Sequence, residues 1–284
     1  MDAIHDGADQ HHHPEPASSL PADGTASEVL AIALQSAPFL LLAAIYPVAA
    51  ALSARRYGPW PQHRVLFWLL GVMTAGASLV GPLATASHHS FEAHMAAHLL
   101  LGMLAPLFIV LSFPVTLLLR TLRTPTARRL SGVLRAKPLQ WITHPVTAAV
   151  LNVGGLAFLY LTNLYHLMHE NVLIYGLVHV HIFLAAYVFT ASILYTDPAP
   201  HRKSYPYRAV VLVLALAAHG MLAKYLYAHP PVGVPSAQAE AGSMLMYYGG
   251  DVVHIAIILL FCRQWYRSAG HALAAKKARL EPEV

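Results

Sequence analysis

Long apolar runs separated by short polar stretches dominate the pattern of hydrophobic and polar positions. They predict seven helices, at residues 29–53, 65–86, 93–119, 146–165, 172–195, 208–228 and 247–266. Each run reaches the roughly 20 residues that an apolar helix needs to cross a bilayer. The pattern therefore predicts an all-α polytopic membrane protein with seven transmembrane helices in one bundle.

The flanking segments differ in composition from the apolar core. Residues 1–28 contain no Lys or Arg and are rich in Asp, His, Pro and Ser. They lack the positive region of a signal peptide and are typical of a disordered tail. We therefore expect three parts: a periplasmic tail at 1–28, a membrane domain at 29–268 and a cytoplasmic tail at 269–284.

Basic residues predict the orientation, because cytoplasmic loops carry the excess of Lys and Arg. All but one of the 18 basic residues fall in the first, third and fifth connections or at the C-terminal end of the chain. The exception is Lys224. The N-terminus is therefore predicted outside and the C-terminus in the cytoplasm of a multi-pass bacterial inner-membrane protein.

Composition excludes several classes of protein. Hydrophobic residues make up 57% of the chain and charged residues 11%, whereas soluble domains carry about 25% charged residues. This excludes a soluble enzyme and a nucleic-acid binder. Cys262 is the single cysteine, so the chain cannot form an internal disulfide or a metal site with several thiolate ligands. No serine lies in a nucleophile-elbow context and no glycine-rich phosphate loop occurs, so we expect no catalytic activity.

Histidine is the unusual residue, with 19 copies against 13 Asp and Glu together. Only four are predicted on the cytoplasmic side: His63, His144, His201 and His271. The others lie in the tail, in outer connections or inside helices. The predicted outer side is therefore rich in imidazole, the commonest metal ligand in proteins.

Three of these histidines are predicted at one depth. His98, His179 and His254 lie six or seven residues below the outer ends of three helices, which is about 10 Å at 1.5 Å per residue. His94 lies one turn above His98 on the same face, and Asp251 one turn above His254. We expect these five residues to form a metal site beneath the outer surface, with the carboxylate as a ligand or orienting group.

Further candidate ligands surround this layer. His179 and His181 point to nearly opposite faces of one helix, so only one of them is expected to face inward. His219 is deeper and alone, and is as well explained by core packing. A methionine thioether beside imidazoles, without Cys, favours copper, and Cu(I) in particular. The lower-ranked candidates are His181, His219, Met95, His88, His166 and His169.

Two motifs resemble a known family. The stretch from Phe91 to His98, with its HMxxH pattern, and the stretch Met246-Tyr247-Tyr248-Gly249-Gly250-Asp251 are similar to CtaG-type cytochrome c oxidase assembly proteins. The resemblance covers about residues 30–268. It implies a seven-helix membrane protein that helps supply copper to a haem–copper oxidase, with His94, His98 and Asp251 as family-like residues and His179 as a looser match.

Three functions are compatible with the sequence. The leading hypothesis is a copper-binding assembly factor whose partners are oxidase subunits, periplasmic copper chaperones and the lipid bilayer. A b-type haem protein would use two histidines at similar depth, such as His98 with His179 or His254. A copper transporter would use the polar residues inside the helices. The sequence leaves the oligomeric state open, with a homodimer as one alternative.

Overall fold

Helices account for nearly all of the secondary structure. A computed structural model describes residues 22–199 and 201–280, with side chains for 29–199 and 201–273. This part of the chain contains no β-strand, which confirms the predicted all-α class. Its helices are α1 (Ala22–Tyr57), α2 (Gln62–Leu79), α3 (Pro82–Ser87), α4 (Phe91–Leu111), α5 (Pro114–Thr121), α6 (Thr124–Leu134), α7 (Lys137–Ile142), α8 (Pro145–Leu161), α9 (Leu164–Glu170), α10 (Val172–Leu194), α11 (Tyr205–Ala228) and α12 (Ser236–Leu280).

Five of these helices are long and apolar enough to cross a membrane. They are α1, α4, α10, α11 and α12. The pair α8 and α9 passes the same length and composition test together, but it bends by 77° at the break between the two helices. The described chain therefore has five or six candidate spans, and it does not clearly have the seven that the apolar pattern predicts.

Prolines explain where the predicted spans break. The run 65–86 is interrupted after Leu79, because Gly81 has a φ of +88° and Pro82 opens the short helix α3. The run 93–119 ends at Leu111, because Phe113 adopts a left-handed conformation and Pro114 opens α5. Proline favours the first turn of a helix, where its missing N–H costs no hydrogen bond.

The flanking predictions are only partly within the described chain. Residues 1–21 of the predicted tail and residues 281–284 lie outside it. The helix α1 begins at Ala22, before the predicted start of the first span, and α12 continues to Leu280, beyond the predicted end of the last. The predicted tail boundaries therefore fall inside helices.

Helix α4 lies at the centre of the bundle and packs against α2, α10 and α12. Two apolar clusters surround it. One, around Phe91, Met95 and Leu226, lies at the end of the bundle with most histidines, here called the histidine end. The other, around Val110 and Phe261, lies at the opposite, basic end. Both α4 and α8 contain a π-helical turn, at Leu100–Leu104 and Val150–Gly154, between these two levels.

Polar contacts connect neighbouring segments at the basic end of the bundle. The Asp197 carboxylate, after α10, accepts hydrogen bonds from the Val115 and Thr116 amides at 3.2 and 2.8 Å, at the start of α5. The buried Arg208 guanidinium donates to the Ile193 carbonyl. A carboxylate that satisfies the free N–H groups of a helix start stabilises that helix.

We expect Asp197→Ala to lower the free energy of unfolding by about 1–2 kcal/mol, the usual cost of losing a helix N-cap. Thermal melting of the purified protein in detergent would measure this. Asp197→Asn keeps one acceptor oxygen and should fall between the wild type and the alanine variant. Equal melting temperatures for all three proteins would contradict the assigned role.

Candidate metal centre

Five histidines are buried within the bundle, each at most 8% exposed. They come from four helices: His94 and His98 from α4, His179 from α10, His219 from α11 and His254 from α12. Burying a polar ring without a partner is unfavourable, so each of them requires an explanation. Their contacts divide them into two groups.

The deeper group, which we call the inner cluster, consists of His98, His219 and His254. The ring centroids of His219 and His254 are 5.0 Å apart, and those of His98 and His219 are 6.5 Å apart. Neither ring nitrogen of His98 has a hydrogen-bond partner, and Nε2 of His219 also has none. Three helices thus direct imidazoles toward one another and leave three buried nitrogen atoms unsatisfied.

A narrow cavity of about 20 Å³ lies among the three rings. Asn152 and Met103 also line it, together with side chains from both apolar clusters. A cavity of this size holds one water molecule or one ion. The inner cluster therefore has unsatisfied ligand atoms and room for a single small occupant.

Two glycines allow the rings to approach the helices closely. A Cβ atom added at Gly250 would lie 2.9 Å from Cε1 of His219, and one at Gly102 would lie 3.0 Å from Cε1 of His98. Carbon atoms do not pack at such distances without moving. Gly250 therefore makes room for an imidazole from the neighbouring helix α11, and Gly102 makes room for the His98 ring of its own helix.

The carboxylate of Asp251 lies at the edge of this group. Its Oδ1 atom is 3.8 Å from Nδ1 of His254, which is longer than a hydrogen bond, and its side chain is half exposed. Lys224 does not neutralise it, because the Lys224 ammonium lies over the Tyr247 ring at 5.1 Å from the ring centroid. Asp251 can orient or attract a cation, but it is not directed at the cavity.

The second group, here called the outer cluster, consists of His94, His179 and His169 with the tyrosines between them. The His94 centroid lies 6.4 Å from that of His179 and 6.3 Å from that of His169. Nε2 of His94 is 3.0 Å from the Tyr160 hydroxyl, which itself lies 3.7 Å from the sulfur of Met95. The Tyr160 hydroxyl thus links the first two side chains of the HMxxH motif.

Backbone carbonyls select the tautomer of two outer histidines. Nδ1 of His169 lies 2.8 Å from the Tyr165 carbonyl, and Nδ1 of His179 lies 2.8 Å from the Tyr175 carbonyl. A carbonyl can only accept, so each Nδ1 carries the proton. The Nε2 lone pairs are then free, which is the arrangement found in many metal-binding histidines.

An open cavity of about 380 Å³ covers the outer cluster. Its histidines are His88, His89, His166 and His169. His88 lies 6.1 Å from His169 between ring centroids, and His166 pairs with Glu170 at 3.2 Å. Partial burial, followed by the neighbouring His169 and His89, lowers the pKa of His88. Its ring is therefore neutral and able to act as a ligand at neutral pH.

The structure separates the predicted ligands instead of placing them around one point. His98 and His254 belong to the inner cluster, His94 and His179 to the outer cluster. His181 lies in neither: it is exposed, and its Nε2 is 3.2 Å from the Leu151 carbonyl. Among the described residues, no three His, Cys, Asp or Glu side chains are close enough, as they stand, to hold a metal ion. Metal binding stays a prediction.

Sequence reasoning missed several residues of these clusters. Tyr160 is not among the predicted site residues, although a tyrosine within an apolar run has a hydroxyl that needs a hydrogen-bond partner. Asn152 lines the inner cavity and is a polar side chain inside a predicted span, a signal that could have identified it. His219 is one of the lower-ranked candidates, and the structure places it between His98 and His254.

Comparison with known sequences identifies the family. Residues 44–268 match the sequence family described as cytochrome c oxidase caa3 assembly factor. This chain belongs to the caa3 assembly factor family. The match confirms the resemblance noted from the two motifs, and both clusters lie inside the matched region.

Relatives of this chain occur in mycobacteria. Uncharacterised proteins of Mycobacterium bovis and Mycobacterium tuberculosis are each 34% identical over 70% of the chain, and one of Mycobacterium leprae is 28% identical over 82%. The chain spans only 32% to 38% of the length of these relatives. No solved structure matches the chain.

The packing of the inner cluster can be tested without any metal. We expect Gly250→Ala to destabilise the protein by about 1–3 kcal/mol, because the new methyl group overlaps the His219 ring. Adding His219→Ala removes that ring, so the double variant should lose less stability than the sum of the two single variants.

Gly176→Ala is the matched control, because a Cβ at Gly176 meets no atom within 4 Å. Chemical denaturation of the purified proteins would measure all four effects. Additive losses in the double variant would show that Gly250 and His219 do not share this contact.

Proposed function

We propose that this caa3 assembly factor binds Cu(I) at the inner cluster and delivers it to cytochrome c oxidase during assembly. One observation carries the proposal: buried, unpartnered nitrogens of His98 and His219 line a cavity sized for one ion. A bound metal would satisfy those nitrogens, which otherwise lie in an apolar interior at a cost in free energy. Family membership supplies the connection to the oxidase.

The ring spacing supports a shared ion. A metal–nitrogen bond to imidazole is about 2.0–2.1 Å, and the ring centroid lies about 1 Å beyond the nitrogen. Two rings on one ion therefore have centroids at most about 6 Å apart. The His219–His254 pair lies within this limit at 5.0 Å, and His98 exceeds it only slightly at 6.5 Å. Small ring movements would therefore let His219 share an ion with either neighbour.

The donor set favours copper over zinc. Structural zinc sites typically contain cysteine thiolates, whereas the inner cluster offers three neutral imidazoles with the Met103 thioether nearby. Thioethers suit Cu(I), and imidazole also binds copper. Asp251 does not enter the cavity, and Cys262 is exposed on α12. Cu(I) accepts two or three ligands, so the cluster needs no further donor.

The distribution of basic residues supports the orientation. With Lys and Arg at the basic end in the cytoplasm, both histidine clusters face the periplasmic side of the bacterial inner membrane. Counting α2 as one span and the bent pair α8–α9 as another would restore seven, with the N-terminus outside. The ion would then pass by ligand exchange to an oxidase subunit, after loading from periplasmic copper chaperones, without catalysis of a reaction.

A haem protein with two histidine ligands fits the described residues less well. A porphyrin must enter between the two ligating rings, and the cavity of about 20 Å³ at the inner cluster has no room for one. A copper transporter would use the same cluster but would move copper across the membrane of sealed vesicles. An assembly factor would instead release copper on the side of the membrane from which it took it up.

Copper quantification tests the proposal. Purified wild type reconstituted with Cu(I) should retain one ion per chain, and His98→Ala and His219→Ala should each weaken binding at least tenfold, which is about 1.4 kcal/mol. His63→Ala, an exposed histidine at the basic end, is the matched control and should bind as the wild type does. Asp251→Ala should also retain copper.

Two results would contradict the proposal. Wild type that retains no Cu(I) after reconstitution would exclude the site, and full retention by both cluster variants would place the copper elsewhere. Oxidase activity of cells that carry the same variants tests delivery: only the variants that lose copper should assemble less active oxidase.

A further inference from the structure

The inner cluster lies too deep for an ion to reach it directly. His98, His219 and His254 are at most 8% exposed, and helices α4, α11 and α12 surround them. An ion that reaches them must therefore exchange between protein ligands or find a transient opening. The outer cluster lies between these rings and the open cavity at the histidine end.

We propose that the outer histidines form a loading path for Cu(I). His88 and His169 bind the ion in the open cavity, and His94 and His179 then transfer it to the inner cluster. This inference rests on the proposed copper-binding function, but it assigns a separate, kinetic role to residues outside the storage site.

Ring spacing along the path is nearly constant. Centroid distances are 6.1 Å from His88 to His169, 6.3 Å from His169 to His94 and 6.4 Å from His94 to His179. Two imidazoles that bind one ion have centroids at most about 6 Å apart. Each neighbouring pair can therefore share an ion after a movement of a few tenths of an ångström.

The series leads from exposed to buried rings. His88 is exposed, His169 is half-buried, and His94 and His179 are 3% and 7% exposed. His94 then leads to His98 one helical turn further along α4, on the same face. The series thus leads from the open cavity to the helical turn that precedes His98.

The hydrogen bonds leave ligand atoms free along the path. The Nε2 atoms of His169 and His179 carry no proton and keep a free lone pair, because the Nδ1–H groups donate to backbone carbonyls. The Tyr160 hydroxyl holds the His94 ring in place. In each step one Cu–N bond forms as another breaks, the copper stays Cu(I) throughout, and no proton has to move.

Loading kinetics test the path. Purified full-length protein would be mixed with a coloured Cu(I)–chelator complex, and copper transfer would be followed by the loss of absorbance. We expect the double variant His88→Ala/His169→Ala to load at least tenfold more slowly than the wild type. Release to excess chelator should slow by the same factor, because both directions use one path, so the affinity and the final stoichiometry should not change.

His229→Ala is the matched control. His229 is exposed at the same end, and its Nδ1 bonds the Tyr225 carbonyl in the same way, at 3.3 Å, but the ring stacks on Tyr225 outside the series. We expect wild-type rates for this variant. His169→Gln, which preserves size and polarity, should slow loading as well, and its melting temperature would show that the fold is retained.

The outcomes separate the two proposals. Wild-type protein that takes up no copper would overturn the proposed function, and the path with it. Copper uptake at the same rate in the wild type and the double variant would overturn only the path. Loss of affinity in the double variant would also overturn it, because the outer rings would then be part of the storage site.

Discussion

Buried imidazole nitrogens without partners are the constraint on which the account depends. The interior of an apolar helical bundle removes such atoms from bulk water, and each one costs free energy unless a protein group, a water molecule or a ligand pairs with it. The outer histidines meet this demand with backbone carbonyls and the Tyr160 hydroxyl. His98 and His219 do not: three of their ring nitrogens have no partner, and both residues line a cavity of about 20 Å³.

The backbone around this cavity departs from regular α-helix where the rings need space. The π-helical turn Leu100–Leu104 follows directly after His98, and the turn Val150–Gly154 contains Asn152, which lines the same cavity. Such turns insert one extra residue into a helix and frequently occur at functional sites. Together with Gly102 and Gly250, they let three helices place rings in a space that regular packing would fill with aliphatic side chains.

Much of the architecture could be predicted from the sequence, because apolar runs of bilayer length leave few alternatives to helices. The helix breaks were harder to predict. Pro82 and Pro114 lie inside two of the predicted spans, yet each begins a new helix after a residue with positive φ. Depth counting places His98, His179 and His254 in one layer, and the structure groups His98 with His254 around His219. Depth alone could not show that His94 and His179 form a separate group or that His219 lies between the others, since helix rotation is not encoded in depth. Tyr160 lies outside any motif and required the packed structure.

X-ray absorption spectroscopy of the Cu(I)-loaded protein tests the central claim most directly, because it reports the atoms bound to copper. The account predicts a shell of two or three imidazole nitrogens at about 2.0 Å, with fewer nitrogens in His219→Ala. Copper bound mainly by oxygen or sulfur atoms, or an unchanged nitrogen shell in His219→Ala, would contradict it.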